Sequence, residues 1–313
     1  MGDFGCEMII NIVFILFLPL LFPGIINRVK SVWAGRKGPS LLQPYYDFTK
    51  LMRKNEVISG STSFVFDMAP SISLACILGA AMFVPFGHYK AVISFQGDFI
   101  LFVYLLAMAK FFSVLGALDT GSSFEGMGAS RELSYTSFLE PAFIMVVGSL
   151  AYAGGLGSLS QLVSFHSINL TDQWSVIISV LTVLNLFIIL LIEGCRVPFD
   201  DPNTHLELTM VHEVMVLDNS GPNLAYTMYG SALKLNTITS LISYFLIPWA
   251  RGFWFVTAMY LLIYVVLAVA VGLVESLMPR LRMSRNLELA LIPLSISLLI
   301  LCALIVNNYG GMQ

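Results

Sequence analysis

Charge is scarce in this chain. Of its 313 residues, 16 are Lys or Arg and 19 are Asp or Glu, so 11% are charged, against about 25% in soluble globular domains. With 57% hydrophobic residues, that deficit excludes a soluble fold with a solvated surface and points to a chain that lives in lipid. Cysteine is scarce too. Cys6, Cys76, Cys195 and Cys302 lie far apart and no CxxC occurs. That excludes an iron–sulfur or zinc site built from this chain alone, and a disulfide framework with it. We read the four as small apolar side chains in helices. No basic patch with interleaved aromatics marks a nucleic-acid surface. The N-terminus carries Asp3 and Glu7 in place of a basic n-region, so the first apolar run reads as a retained span. No inverted repeat relates the two halves, which argues against many secondary transporters. His212-Glu213 starts an HExxH pattern, but Val216 stands where its second His belongs, so a zinc hydrolase lacks a ligand.

Apolar length is what the chain has. Runs of about 20 residues, enough to cross a bilayer, fall at 7–27, 70–88, 98–118, 132–154, 175–195, 232–250, 254–276 and 287–307. The expected fold is all-α: a polytopic membrane protein of about eight transmembrane helices, one transmembrane domain over 1–313. Its inner loops would be about 28–69, 119–131, 196–233 and 277–286. Pro248-Trp249-Ala250-Arg251-Gly252 would form the tight turn between the sixth and seventh spans. With the N-terminus outside, Arg28, Lys30, Arg36, Lys37, Lys50, Arg53, Lys54, Arg131, Arg196, Lys234, Arg280, Arg282 and Arg285 all fall on the inner side. Only Lys90 and Arg251 fall outside, and Lys110 lies within a span. By the positive-inside bias this places a multi-pass protein in the cytoplasmic (inner) membrane, with both termini outside, periplasmic in a bacterium.

The first inner loop holds Phe48, Leu51 and Met52 at i, i+3, i+4 spacing, with Asp47, Lys50, Arg53 and Lys54 interleaved. That pattern fits a short amphipathic helix on the membrane surface. It suits equally a helix held near lipid phosphates and a collar that receives a soluble partner. The second inner loop runs from Glu193 through Arg196-Val197-Pro198-Phe199-Asp200-Asp201-Pro202 to His205, Glu207, His212, Glu213 and Asp218. Pro202 can open a helix with Asp201 as its N-cap. On such a helix His205, Thr209 and His212 share a face, and Thr209 and Glu213 form an i, i+4 pair.

Two ionisable residues sit inside spans. Lys110 and Glu140 each lie about eight residues from the inner end of adjacent helices, about 12 Å deep at 1.5 Å per residue. Antiparallel neighbours can pair them, which offsets much of the cost of burial. Ionisable groups at that depth mark proton or ion paths, although a buried pair can also simply lock two helices. Pro141, after Glu140, opens the backbone ladder and makes room for water. Glu132, Glu193 and Glu275 sit near inner ends, where they are expected to meet water. A row of carboxyls has coupled titrations, so a charge change at one end can load or unload a proton elsewhere.

Arg36-Lys37-Gly38-Pro39 with Gln43, Asp47-x-x-Lys50-Leu51, Arg196-x-Pro198-Phe199-Asp200, Glu207-Leu208 and Ser220-Gly221 together carry a likeness. Across nearly the whole chain it resembles the membrane family of the quinone-chamber subunit of respiratory complex I. That family includes the related subunits of energy-converting nickel–iron hydrogenases and formate hydrogenlyase. Two features look like the hydrogenase branch. Gly38-Pro39-Ser40 runs directly into Leu41-Leu42-Gln43-Pro44, where complex I homologues carry a longer insert. Leu118-Asp119-Thr120-Gly121-Ser122-Ser123-Phe124, with Gly128 to Glu132, is similar to the hydrogenase-type segment. The family often has an acidic triple before its Glu-Leu pair; here Asn203 and His205 take two of those positions and Glu207 keeps the carboxylate.

The resemblance implies a membrane anchor for a soluble redox module. Its partners would be hydrogenase large and small (iron–sulfur) subunits on the inner face, antiporter-like membrane subunits and the lipid bilayer. The nickel–iron centre and iron–sulfur clusters would sit in those partners; this chain would hold no metal and no cofactor and would not be catalytic alone. The proton path would run through Glu140, Lys110, Glu132, Glu193, Glu207, His205, Glu213, Asp200 and Asp201. The partner interface would use Arg36, Lys37, Gln43, Asp47, Lys50, Asp119, Arg131 and Arg196. Three other readings stay open: a quinone-reactive subunit with a tunnel near Arg36 and Asp119, a purely structural anchor, and a stand-alone ion transporter.

Overall fold

The computed structural model describes residues 2–87, 90–154, 157–160, 173–200, 210–247 and 252–310. Among them every regular element is helical: α1 (Gly2–Phe17), α2 (Leu21–Trp33), α3 (Gln43–Leu51), α4 (Phe64–Ala81), α5 (Asp98–Asp119), α6 (Ser123–Gly154), α7 (Gln173–Glu193), α8 (His212–Met215), α9 (Gly221–Leu246), α10 (Phe253–Leu277) and α11 (Met283–Gly310). By length and composition six of these can cross a membrane, and seven if α1 and α2 count as one bent span. The polytopic all-α expectation holds. The turn at 248–251 lies outside the described residues.

The first expected span, 7–27, is broken by Pro19. The residue before a proline is pushed out of helical geometry, α1 stops at Phe17, and α2 leaves at 49°. A break inside lipid strands backbone carbonyls that must be satisfied. Two tyrosines do this: Tyr229 donates to the carbonyls of Ile15 and Leu16 at 3.2 and 3.0 Å, and Tyr264 donates to Leu18 at 2.6 Å. Phe22 packs edge-on against Tyr264, and Phe14 stacks on Tyr260. Gly24 follows the break because a Cβ there would run into the Leu41 carbonyl; this approach lets the first loop fold back over α2.

Helix α9 is the sixth expected span, and it starts at Gly221, eleven residues before the expected boundary. Its 26 residues span about 39 Å, long enough to cross, but too many are polar for it to pass as a lipid-facing helix. It does not face lipid. α4, α7, α10, α2 and α3 surround it, and Asn236, Thr237, Thr239, Ser240 and Ser243 are buried. Thr237 and Ser240 donate their hydroxyls to carbonyls one turn back, which makes polar side chains tolerable in an apolar setting. Helix α6 begins at Ser123 and runs through Pro141, so the expected 119–131 loop shrinks to a turn and Arg131 and Glu132 are helical.

Residues expected on the same side are joined in the structure. At one end Ser63 meets Asp119, Val57 meets Ser220 and Arg131 meets Met210. At the other, Asn11 meets Lys90 and Asp98 meets Leu159. We call the first the charged end. The expected surface helix is α3, packed on α9 through Phe48 and Tyr229, while Met52 at the end of its apolar stripe stays exposed.

Candidate functional site

Helix α7 stops short. Its last residue, Glu193, ends inside the bundle, and the chain turns there with Cys195 in left-handed geometry (φ 48°). The Arg196 and Cys195 N–H groups bond the carbonyls of Leu191 and Ile192, the closure that Schellman motifs make. A helix C-terminus carries partial negative charge and favours cations nearby. Two are present. The Glu193 carboxylate takes Lys110 of α5 on one oxygen at 2.6 Å and Lys234 of α9 on the other at 3.4 Å. Lys110 also donates to Thr136 at 3.1 Å and lies 3.7 Å from Glu132, both on α6.

Four helices therefore meet at one charged cluster. Lys110 lies nine residues from the Asp119 end of α5, about 14 Å deep. Lys110, Lys234, Glu193 and Glu140 line a cavity of about 30 Å³, room for water. Two ammonium groups face three carboxylates, Glu132, Glu140 and Glu193. With one acid in excess, protonating one member neutralises the cluster.

This corrects the pairing expected from sequence. Lys110 does not pair with Glu140; Glu193 and Glu132 take it, and Glu140 stands on the cavity wall. Nor do Glu193 and Glu275 simply meet water. The Glu275 side chain is fully enclosed and pairs with Lys30 at 2.9 Å and Arg196 at 3.4 Å. Lys234, taken for a loop residue, is the cation that sequence reading missed. Its signal was Ser220-Gly221-Pro222, since proline near a helix start would have put Lys234 thirteen residues inside α9.

The Arg196–Asp200 stretch is a strap. Arg196 pairs with Glu275, Pro198 accepts from the Leu281 N–H, and the Phe199 carbonyl accepts from Asn286. Asp200, 1% exposed, pairs with Arg280 at 2.8 Å and accepts from the Val211 N–H at 2.9 Å. Asp200, expected on the proton path, thus ties the end of α7 to the α10–α11 connection. Cys195, just before this strap, is free and half-buried.

At the charged end a larger cavity, about 210 Å³, is lined by Asp47, Arg196, His212 and Glu213 among apolar residues of α2, α3 and α9. It is not bordered by Arg36 or Asp119, where a quinone tunnel was expected. Of the expected interface residues, Arg36, Lys37, Gln43 and Lys50 are exposed and Asp47 is half-buried. Three others are engaged within the chain. Asp119 accepts from the N–H groups of Ser63 and Phe66 at the start of α4, Arg131 donates to the Met210 carbonyl, and Arg196 holds Glu275. Asp201, His205 and Glu207, with the expected helix from Pro202, lie outside the described residues. The described helix there begins only at His212. Among the described residues no three His, Cys, Asp or Glu converge as a metal site.

A model of the family described as NADH dehydrogenase matches residues 6–305. Hydrogenase-4 component C of Escherichia coli is 33% identical over 241 residues, covering 77% of this chain and 74% of that protein. Formate hydrogenlyase subunit 4 of Escherichia coli is 29% identical over 277 residues, covering 84% and 86%. A chain of the membrane-bound sulfane sulfur reductase, an archaeal respiratory membrane complex, shares the fold with a TM-score of 0.79 at 20% identity, over 97% of this chain and 100% of that one. With a family match that spans the bent first helix pair, the charged cluster and the strap, this multi-pass helical chain belongs to the NADH dehydrogenase family of membrane subunits.

Proposed function

We propose that this chain is the membrane subunit of a hydrogenase-type respiratory complex. It anchors a soluble redox module at its charged end and couples that module's electron transfer to proton displacement. The observation that carries this reading is the enclosed cluster of Glu193, Lys110, Lys234, Glu132 and Glu140. A proton taken up there changes the net charge of a group shielded from water, where charges interact strongly. Charge change in a docked module then shifts that equilibrium. A mere anchor has no need of five ionisable groups at this depth, where each is costly.

The soluble partners would be large and small hydrogenase subunits carrying the nickel–iron centre and iron–sulfur clusters, docked where Arg36, Lys37, Gln43 and Lys50 are exposed. Antiporter-like subunits would continue the pump within the membrane. The charged end faces the cytoplasm of the inner membrane, and both termini lie outside. The two Escherichia coli relatives, named for hydrogenase and formate hydrogenlyase, favour this branch.

Purification of the tagged chain in mild detergent, with mass spectrometry of what comes with it, tests the reading. A partner with paired CxxC motifs and small iron–sulfur proteins is expected. The 210 Å³ cavity supports a second reading, a quinone-reactive subunit. Recovery of a large subunit lacking those cysteines, with quinone-linked turnover, would select it. Recovery of the chain alone would sink both.

A further inference from the structure

The cavity lined by Glu213 and Asp47 is not itself lined by Glu193, Lys110 or Lys234. Three cavities lie in series, and the residues they share mark the partitions. His212, Val216, Thr227 and Ser231 border both the 210 Å³ cavity at the charged end and a second cavity of about 40 Å³ between α4, α5 and α9. Lys234 borders both this second cavity and the 30 Å³ cavity that holds Lys110, Glu140 and Glu193. Each has room for at least one water.

The first partition carries a titratable group with a defined hydrogen bond. His212 Nε2 lies 3.2 Å from Ser231 Oγ. Ser231 has one hydroxyl hydrogen, and the Thr227 carbonyl takes it at 2.9 Å. Ser231 is therefore the acceptor, His212 carries its hydrogen on Nε2, and Nδ1 is left as the ring's acceptor. Ser231 and Lys234 are three apart on α9 and share a face. The second cavity is also polar at Asn219 and Tyr226 and at Ser73 and Ser113, whose hydroxyls lie 3.1 Å apart.

We infer that His212, with Ser231, is the proton-exchanging group that admits protons from the charged-end cavity to the buried Glu193 cluster. This rests on the coupling reading above. In the step, Nδ1 takes a proton from water in the outer cavity and the ring becomes imidazolium. Nε2 then releases its proton to Ser231 Oγ, whose own hydrogen passes on to water in the second cavity. Rotation of the hydroxyl and tautomer exchange of the ring reset the pair, and no bond other than O–H and N–H changes. Imidazole suits the task because it can accept a proton on one ring nitrogen and release one from the other. The ionisable groups that face it are Glu213 on its own helix, Asp47 from α3, Cys195 and Arg196 after α7, and Tyr226 and Lys234 from α9. From α4 and α5 the second cavity receives only the two serine hydroxyls.

The test uses the assembled complex in inside-out membrane vesicles. Hydrogen turnover with methyl viologen counts assembled complexes, and quenching of an acridine dye reports proton displacement. His212→Gln keeps a donor toward Ser231 but cannot titrate. Displacement per assembled complex should fall about 100-fold, the low end of what a positioned acid–base group supplies. In His212→Ala, added imidazole should restore it, a rescue that a structural role would not show. Glu193→Gln runs alongside. If it abolishes displacement while His212→Gln matches wild type, the route through His212 is overturned and the coupling reading stands. If both match wild type, the coupling reading falls too. Should neither His212 variant assemble, Ser231→Ala carries the test, and wild-type displacement there overturns the route.

Discussion

Glu193→Gln should abolish proton displacement and weaken the fold together. The neutral amide leaves Lys110 and Lys234 close to each other with Glu132 as the remaining counter-charge, 3.7 Å from Lys110. Removing one partner of a buried pair typically costs about 3–5 kcal/mol, so less complex should assemble, read on native gels. The second step separates a lock from a relay. Adding Lys110→Met removes the cation that Glu193 holds most closely, at 2.6 Å. Replacing both members of a buried pair by uncharged side chains is often close to neutral for stability. The double variant should regain assembled complex without regaining displacement. Wild-type displacement in that variant would mean that the pair only clamps α5 to α7.

Asp200→Ala should produce the opposite pattern. Asp200 is deeply buried, and its carboxylate serves Arg280 and the Val211 N–H at once. Loss of that carboxylate should cost about 3–5 kcal/mol and free the strap that closes α7 onto the α10–α11 connection. The amount of assembled complex should fall sharply, while displacement per assembled complex stays near wild type. Asp200→Asn, which keeps the acceptor for Val211, should recover part of the loss. Normal assembly of Asp200→Ala with displacement gone would return Asp200 to the proton path where sequence reading placed it.

The two residues part company for a physical reason. In sequence Asp200 sits in an acidic loop and Glu193 at a helix end near water, and both read as members of one proton path. The structure places the end of α7 inside the bundle, beside cations from two other helices, and carries Asp200 on to a salt bridge. Where a helix ends relative to its neighbours is not a local property. The same holds for Lys110: hydropathy gave its depth, but the rotation of α5 against α6 and α7 chose Glu193 over Glu140. Lys234 was hidden because the first eleven residues of α9 did not read as part of its span, which left Lys234 at the expected inner edge.

Sequence alone determined the medium, the helical class and which loops share an end. Those follow from sums over many residues: apolar length, scarce charge, and Lys and Arg gathered at one end. It also placed the surface helix α3, because period and punctuation are local. The tertiary structure alone decided which ionisable groups share a cluster, which cavities adjoin, and that Arg196 to Asp200 is a strap. These depend on helix rotation, depth and the break at Pro19, where a few ångströms separate an ion pair from a bare cavity wall.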